Sequence, residues 1–96
     1  MEISFSNNNM QHLNHDPFCQ TDLPQSVVKM FRRRVAQIGA ALDEADMAAL
    51  TGLDFKTEGT EPGCYSMCLS GRYRLHFQID TRGCEKFAVI YSVTAL

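Results

Sequence analysis

The stretch SGRYRLHFQID, residues 70–80, alternates strictly: Tyr73, Leu75, Phe77 and Ile79 are apolar, and Arg72, Arg74, His76 and Gln78 between them are polar. Side chains on a strand point alternately to opposite faces, so this spacing predicts a strand over 72–79 with one apolar and one polar face. Two further strands are predicted beside it, at 64–69 and 85–93, joined through turns at Ser70-Gly71 and Asp80-Thr81-Arg82-Gly83 that are short enough for hairpins. Alternation assigns Tyr65, Met67, Leu69, Phe87, Val89, Tyr91 and Val93 to the apolar face. It assigns Cys64, Ser66, Cys68, Ala88, Ile90 and Ser92 to the polar one.

Upstream the period lengthens. Val27, Val28, Phe31, Val35, Ile38 and Leu42 recur at helical steps, which predicts an amphipathic helix from Pro24 to Ala41 with proline in its first turn. Asp43 can cap a second helix over 44–50, with Asp46 near its positive end and Gly52 beyond its last residue. Met10 and Leu13 permit a short helix that Asp16-Pro17 ends, and residues 2–6 read as a short strand. Residues 54–63 read as a loop. The expected fold is α+β: one domain over residues 1–96, a small antiparallel sheet with two N-terminal helices packed on one face.

Composition narrows the function. The chain has 96 residues, 45% of them hydrophobic and 21% charged, with a net charge of −2 and a pI of about 5.8. That balance excludes a protein that coats nucleic acid by bulk electrostatics. It leaves room for local basic patches, at Arg32-Arg33-Arg34 and at Arg72 with Arg74. The apolar runs are too short to span a bilayer, and MEISFSNNNM is not a basic start followed by an apolar stretch, so a cytoplasmic location without membrane contact is expected. Cys64 and Cys68 on one strand are separated by roughly 13 Å, too far to share a zinc ion or a disulfide. With Cys19 and Cys84 they read as reduced thiols, and His12 and His15 as a solvated pair without further ligands. No metal or cofactor is expected.

The polar face admits two readings. Antiparallel sheets often leave one face in water, where Arg, His and Gln are ordinary. Arginine forks also suit phosphate, and histidine can move a proton near neutral pH. RNA cleavage by 2′-hydroxyl attack needs both capacities.

Residues 50–80, LTGLDFKTEGTEPGCYSMCLSGRYRLHFQID, resemble the RelE/ParE toxin superfamily, most closely its HigB branch (host inhibition of growth, plasmid maintenance system killer). That branch reads L-x-G, a loop, then G-x-Y-S-[IM]-x-[IV]-[NS]-G-x-Y-R-[IL]-x-F. Leu50, Gly52, Gly63, Tyr65, Ser66, Met67, Gly71, Tyr73, Arg74, Leu75 and Phe77 fit, as do Ser4-Phe5 and Leu23-Pro24 upstream. The resemblance implies a RelE-like fold and a ribosome-dependent mRNA endoribonuclease, the toxin of a toxin-antitoxin pair whose helix-turn-helix antitoxin holds it inactive. It also implies that Arg74 stabilises phosphate charge and Tyr91 orients substrate. Arg72 and Lys56 are then expected to bind mRNA, and Arg32 and Arg33 to meet ribosomal RNA. His76, on Arg74's face, is the candidate proton carrier. The pattern's loop usually offers His and Lys where this chain has Lys56 and Glu58, and its last strand Asp-Tyr-His where this chain has Ile90-Tyr91-Ser92. These departures and the acidic pI support a rival expectation: a catalytically impaired relative that binds an antitoxin or another protein.

Overall fold

The computed structural model describes residues 1–16, 21–50, 52, 54–59 and 63–95. Along them the elements run β1 (Glu2–Phe5), α1 (Asn8–His15), α2 (Gln25–Ala40), α3 (Glu44–Ala48), β2 (Lys56–Thr57), β3 (Cys64–Cys68), β4 (Tyr73–Arg82) and β5 (Glu85–Ala95). Cys19, Pro17, Phe18 and part of the expected 54–63 loop lie outside the described residues. The α+β class holds, but the sheet is mixed rather than antiparallel throughout. Its order is β1-β5-β4-β3-β2, and β1 runs parallel to β5. Three helices, not two, are described, and all stand between β1 and β2 in the chain, where a parallel pairing needs a long crossover.

The helices begin where their capping residues predict. The Asn7 side chain accepts the Met10 N–H at 2.9 Å, and the Asp43 carboxylate accepts the Asp46 N–H at 3.1 Å. Pro24 stands one residue before α2, and its carbonyl accepts from the Val27 and Val28 N–H groups at 3.0 and 3.1 Å. α2 stops at Ala40, so Leu42 projects into solvent, 80% exposed, instead of extending the apolar stripe. Phe31, Ile38 and Met47 from the helices are fully buried in one cluster with Met67, Leu75, Phe77 and Ile90 from the strands. Among the described residues no helix is long and apolar enough to cross a membrane.

β5 breaks strict alternation. Leu75 pairs with Val93 and His76 with Ser92, but Phe77 pairs with Ile90, so Tyr91 is the extra residue of a β-bulge. A one-residue slip exchanges the faces of everything beyond it. Ala88 and Ile90, expected on the polar face, are fully buried in the core. Phe87 and Val89, expected in the core, pair with Asp80 and Gln78 on the other face, where the Arg82 guanidinium lies 5.6 Å from the Phe87 ring centroid. Tyr91, also expected in the core, turns its ring towards His76.

Two glycines are required by geometry. Gly83, at φ 62°, opens the two-residue Gly83-Cys84 turn between Arg82 and Glu85, as a type II′ hairpin demands. Gly63 enters β3 at φ 88°, and a Cβ there would stand 3.0 Å from the Ile79 carbonyl oxygen. The segment read as a loop contributes β2, which pairs with β3 and sets Lys56 opposite Ser66.

Candidate functional site

Pairing across four strands aligns Lys56, Ser66, His76 and Ser92 in one row of the polar face. The neighbouring row carries Cys68, Arg74 and Thr94. Long side chains reach diagonally between rows. Arg74 leans to Ser66, and His76 leans to Thr94.

Arg74 is buried, and most of its donors are spent. Nε and an Nη donate to Ser66 Oγ at 3.1 and 2.9 Å; the other Nη donates to Asp54 Oδ2 at 2.7 Å, and the Asp54 carbonyl accepts at 2.7 Å. Among the described residues these four bonds leave one of five guanidinium N–H groups for anything else. Asp54 adopts a left-handed conformation, φ 47°, which aspartate tolerates better than most residues. Its carboxylate is 65% exposed, so water screens the ion pair on one side.

Ser66 links the arginine to a second charged pair. Its oxygen already accepts twice from Arg74, so its own proton is available to Glu58. That hydroxyl hydrogen bond is the main reason the Glu58 carboxyl lies below its ordinary value. Desolvation opposes the shift, and the charges of His76, Arg74 and Lys56 reinforce it. Glu58 Oε1 lies 3.6 Å from His76 Nδ1, an electrostatic contact rather than a hydrogen bond. On the other side of the ring, His76 Nε2 is 2.6 Å from Thr94 Oγ1. The Tyr91 and His76 ring centroids are 6.2 Å apart. The face therefore holds two contacting sets, Asp54–Arg74–Ser66 and Glu58–His76–Thr94, coupled through the effect of the Ser66 hydroxyl on Glu58, with a carboxylate and an imidazole in the second. Such a pair can accept and donate protons.

The structure gathers Lys56, Arg74, His76 and Tyr91 on this face, but their circumstances differ from the sequence expectation. Arg74 is committed to internal partners rather than open to solvent. Arg72 lies in the exposed turn before β4, not within the strand. The α2 arginines do not form one basic surface. Arg32 donates to the Leu13 and Asp16 carbonyls at 3.0 and 2.8 Å, closing the end of α1. Arg34 is buried on Cys68, Gln37 and Gly52, which leaves Arg33 as the exposed member of the run. Thr94 went unread as a site residue because only cross-strand register brings it here, and Asp54 because only the path of the segment before β2 sets it against Arg74. Ser66 carried a signal, since it shares Arg74's face by alternation and stands in the G-x-Y-S run.

No protein-family model matches the chain, and no curated protein sequence matches it significantly.

Proposed function

We propose that this chain is a toxin of RelE-like kind, a ribosome-dependent endoribonuclease that cuts mRNA by 2′-hydroxyl attack and is restrained by a helix-turn-helix antitoxin. The reading rests on the residue pattern of 50–80 and on one observation above all: His76 is the direct cross-strand partner of Ser92. The resemblance places a histidine at the position of Ser92. Directly opposed side chains have Cβ atoms about 4.5–5.5 Å apart, so an imidazole from β4 serves the same region as one from β5.

In this reading His76 carries the proton, Tyr91 packs beside it and orients the substrate, and exposed Lys56 and Arg72 hold phosphates. Arg74 lends positive charge from beneath and fixes Ser66. The ribosome supplies the remaining alignment, which is a large part of rate acceleration for a positioned substrate. The site of action is the cytoplasm, and the helices cover the apolar sheet face as in RelE-like toxins.

A second reading draws on a different observation. Asp54 neutralises Arg74, and Glu58 adds negative charge at the centre of the face, which suits an impaired relative that works by binding protein. Induced expression of wild type and His76→Ala, with mapping of mRNA 5′ ends, separates the two. The nuclease reading expects growth arrest and codon-associated cuts in the wild type that fall at least 100-fold in the variant. Growth arrest without cuts in either strain supports the binding module.

A further inference from the structure

We infer that Asp54, Arg74, Ser66 and Glu58 form a positioning relay that fixes His76 with its proton on Nδ1, leaving Nε2 to accept the proton of a ribose 2′-hydroxyl whose place Thr94 Oγ1 holds in the resting protein. The inference rests on the nuclease reading for its substrate, while the relay itself rests on geometry. Arg74 occupies the Ser66 oxygen with two donors, so the Ser66 hydroxyl can only donate. Glu58 faces that donor and stays ionised. An ionised carboxylate 3.6 Å from Nδ1 attracts a proton there and repels a lone pair. Nε2 is then the acceptor of the 2.6 Å contact, and the Thr94 hydroxyl is its donor.

Among the described residues the charged and titratable groups around the imidazole are Glu58 and Lys56 from the β2 segment, Arg74 from its own strand with Asp54 beyond it, and Tyr91 from β5. Glu58 is the one in ion-pair contact with the ring. Thr94 is exposed at the rim of the face, so an incoming hydroxyl can replace its Oγ1 without disturbing the core.

The chemical step balances without a further reagent. Nε2 takes the 2′-hydroxyl proton as the 2′-oxygen forms a bond to phosphorus. The phosphorus–5′-oxygen bond breaks, and the departing 5′-oxygen takes a proton from water. The products are a 2′,3′-cyclic phosphate and a 5′-hydroxyl end, and the imidazolium returns its proton to solvent. His76 is the catalytic residue in this scheme, and Glu58, Ser66, Arg74 and Asp54 are positioning residues.

The test combines nitrogen-15 NMR of histidine-labelled full-length protein with cleavage of mRNA on translating ribosomes. The His76 resonances are assigned by their loss in His76→Gln. The wild type is expected to show Nδ1 protonated and Nε2 bare, and Glu58→Gln to shift the population towards protonated Nε2. Thr94→Val, at an exposed position, is expected to keep the Nδ1–H tautomer and to raise cleavage roughly fivefold, the worth of one competing hydrogen bond. A protonated Nε2 in the wild type, or a tautomer indifferent to Glu58→Gln, overturns the relay. Loss of cleavage in Thr94→Val with the tautomer intact overturns the placeholder role and makes Thr94 a reactant. If the tautomer responds as expected while the wild type yields no 5′ ends, the relay stands and the nuclease reading falls.

Discussion

Replacing Arg74 by alanine is the obvious probe of a phosphate-binding arginine, and here it is expected to report on folding first. The side chain is 6% exposed, and its removal strips two donors from Ser66, which is itself fully buried. An unsatisfied buried polar atom costs about 1–3 kcal/mol. Loss of two buried methylenes adds about 1.6 kcal/mol. The Asp54 side adds little, because its exposed carboxylate regains water. The sum is about 2.6–4.6 kcal/mol, a large part of the stability of about 5–15 kcal/mol usual for a domain. In a domain of this size each kcal/mol moves the thermal midpoint by about 4–8 °C. Circular dichroism melts at neutral pH should therefore show Arg74→Ala melting at least about 10 °C below wild type. A variant within about 4 °C of wild type would refute the reasoning and return Arg74 to the role of a free anion clamp. Loss of toxicity in Arg74→Ala is evidence about catalysis only when the protein is still folded at the growth temperature.

Further outcomes follow from the register, the strand starts and the carboxylate. Ile90→Ala should cost about 2–5 kcal/mol in urea unfolding, because the residue is fully buried, and Val89→Ala on the other face much less; the reverse order would deny the bulge. Gly63→Ala should destabilise by about 1–3 kcal/mol, since it needs a positive φ and sets a methyl 3.0 Å from the Ile79 carbonyl; an unchanged midpoint would contradict the strand start. Glu58, with its folded-state pKa lowered from 4.5, stabilises the protein fully above that value and loses the contribution as pH falls through the lower folded value. The gap in melting temperature between wild type and Glu58→Gln should accordingly be present at neutral pH and close on the acid side; a gap that is constant with pH would sink the assignment.

Helix positions and the β3–β4 hairpin were legible because local chemistry specifies them: Asp43 caps, Pro24 precedes a helical period, and Gly71 turns at φ 64°. The apolar face of β4 was legible because Leu75, Phe77 and Ile79 alternate without interruption and all are buried. β5 was not, because Phe87 to Val93 supports two registers. Phe87, Val89 and Tyr91 form as good an apolar row as Ala88 and Ile90. The choice is made by the tertiary structure, where β1 pairs with β5 and sets Phe5 opposite Ile90. β2 was hidden for a related reason, since a two-residue strand exists only through its partner β3.

The same long-range register decides the chemistry. Lys56, Ser66, His76 and Ser92 come from four strands and have no common spacing in sequence, yet they form one row. Glu58, which looked like the loss of a cation, gains a meaning only beside His76, and His76 only opposite Ser92. The bulge ties these together. Without the extra residue at Tyr91, the pairing of Phe77 with Ile90 implies Leu75 opposite Ser92 and His76 opposite Tyr91, so that Ser92 leaves His76's row. The device that follows buried Ile90 is thus also the one that sets Ser92 opposite the imidazole, so core packing and the candidate site share a single determinant.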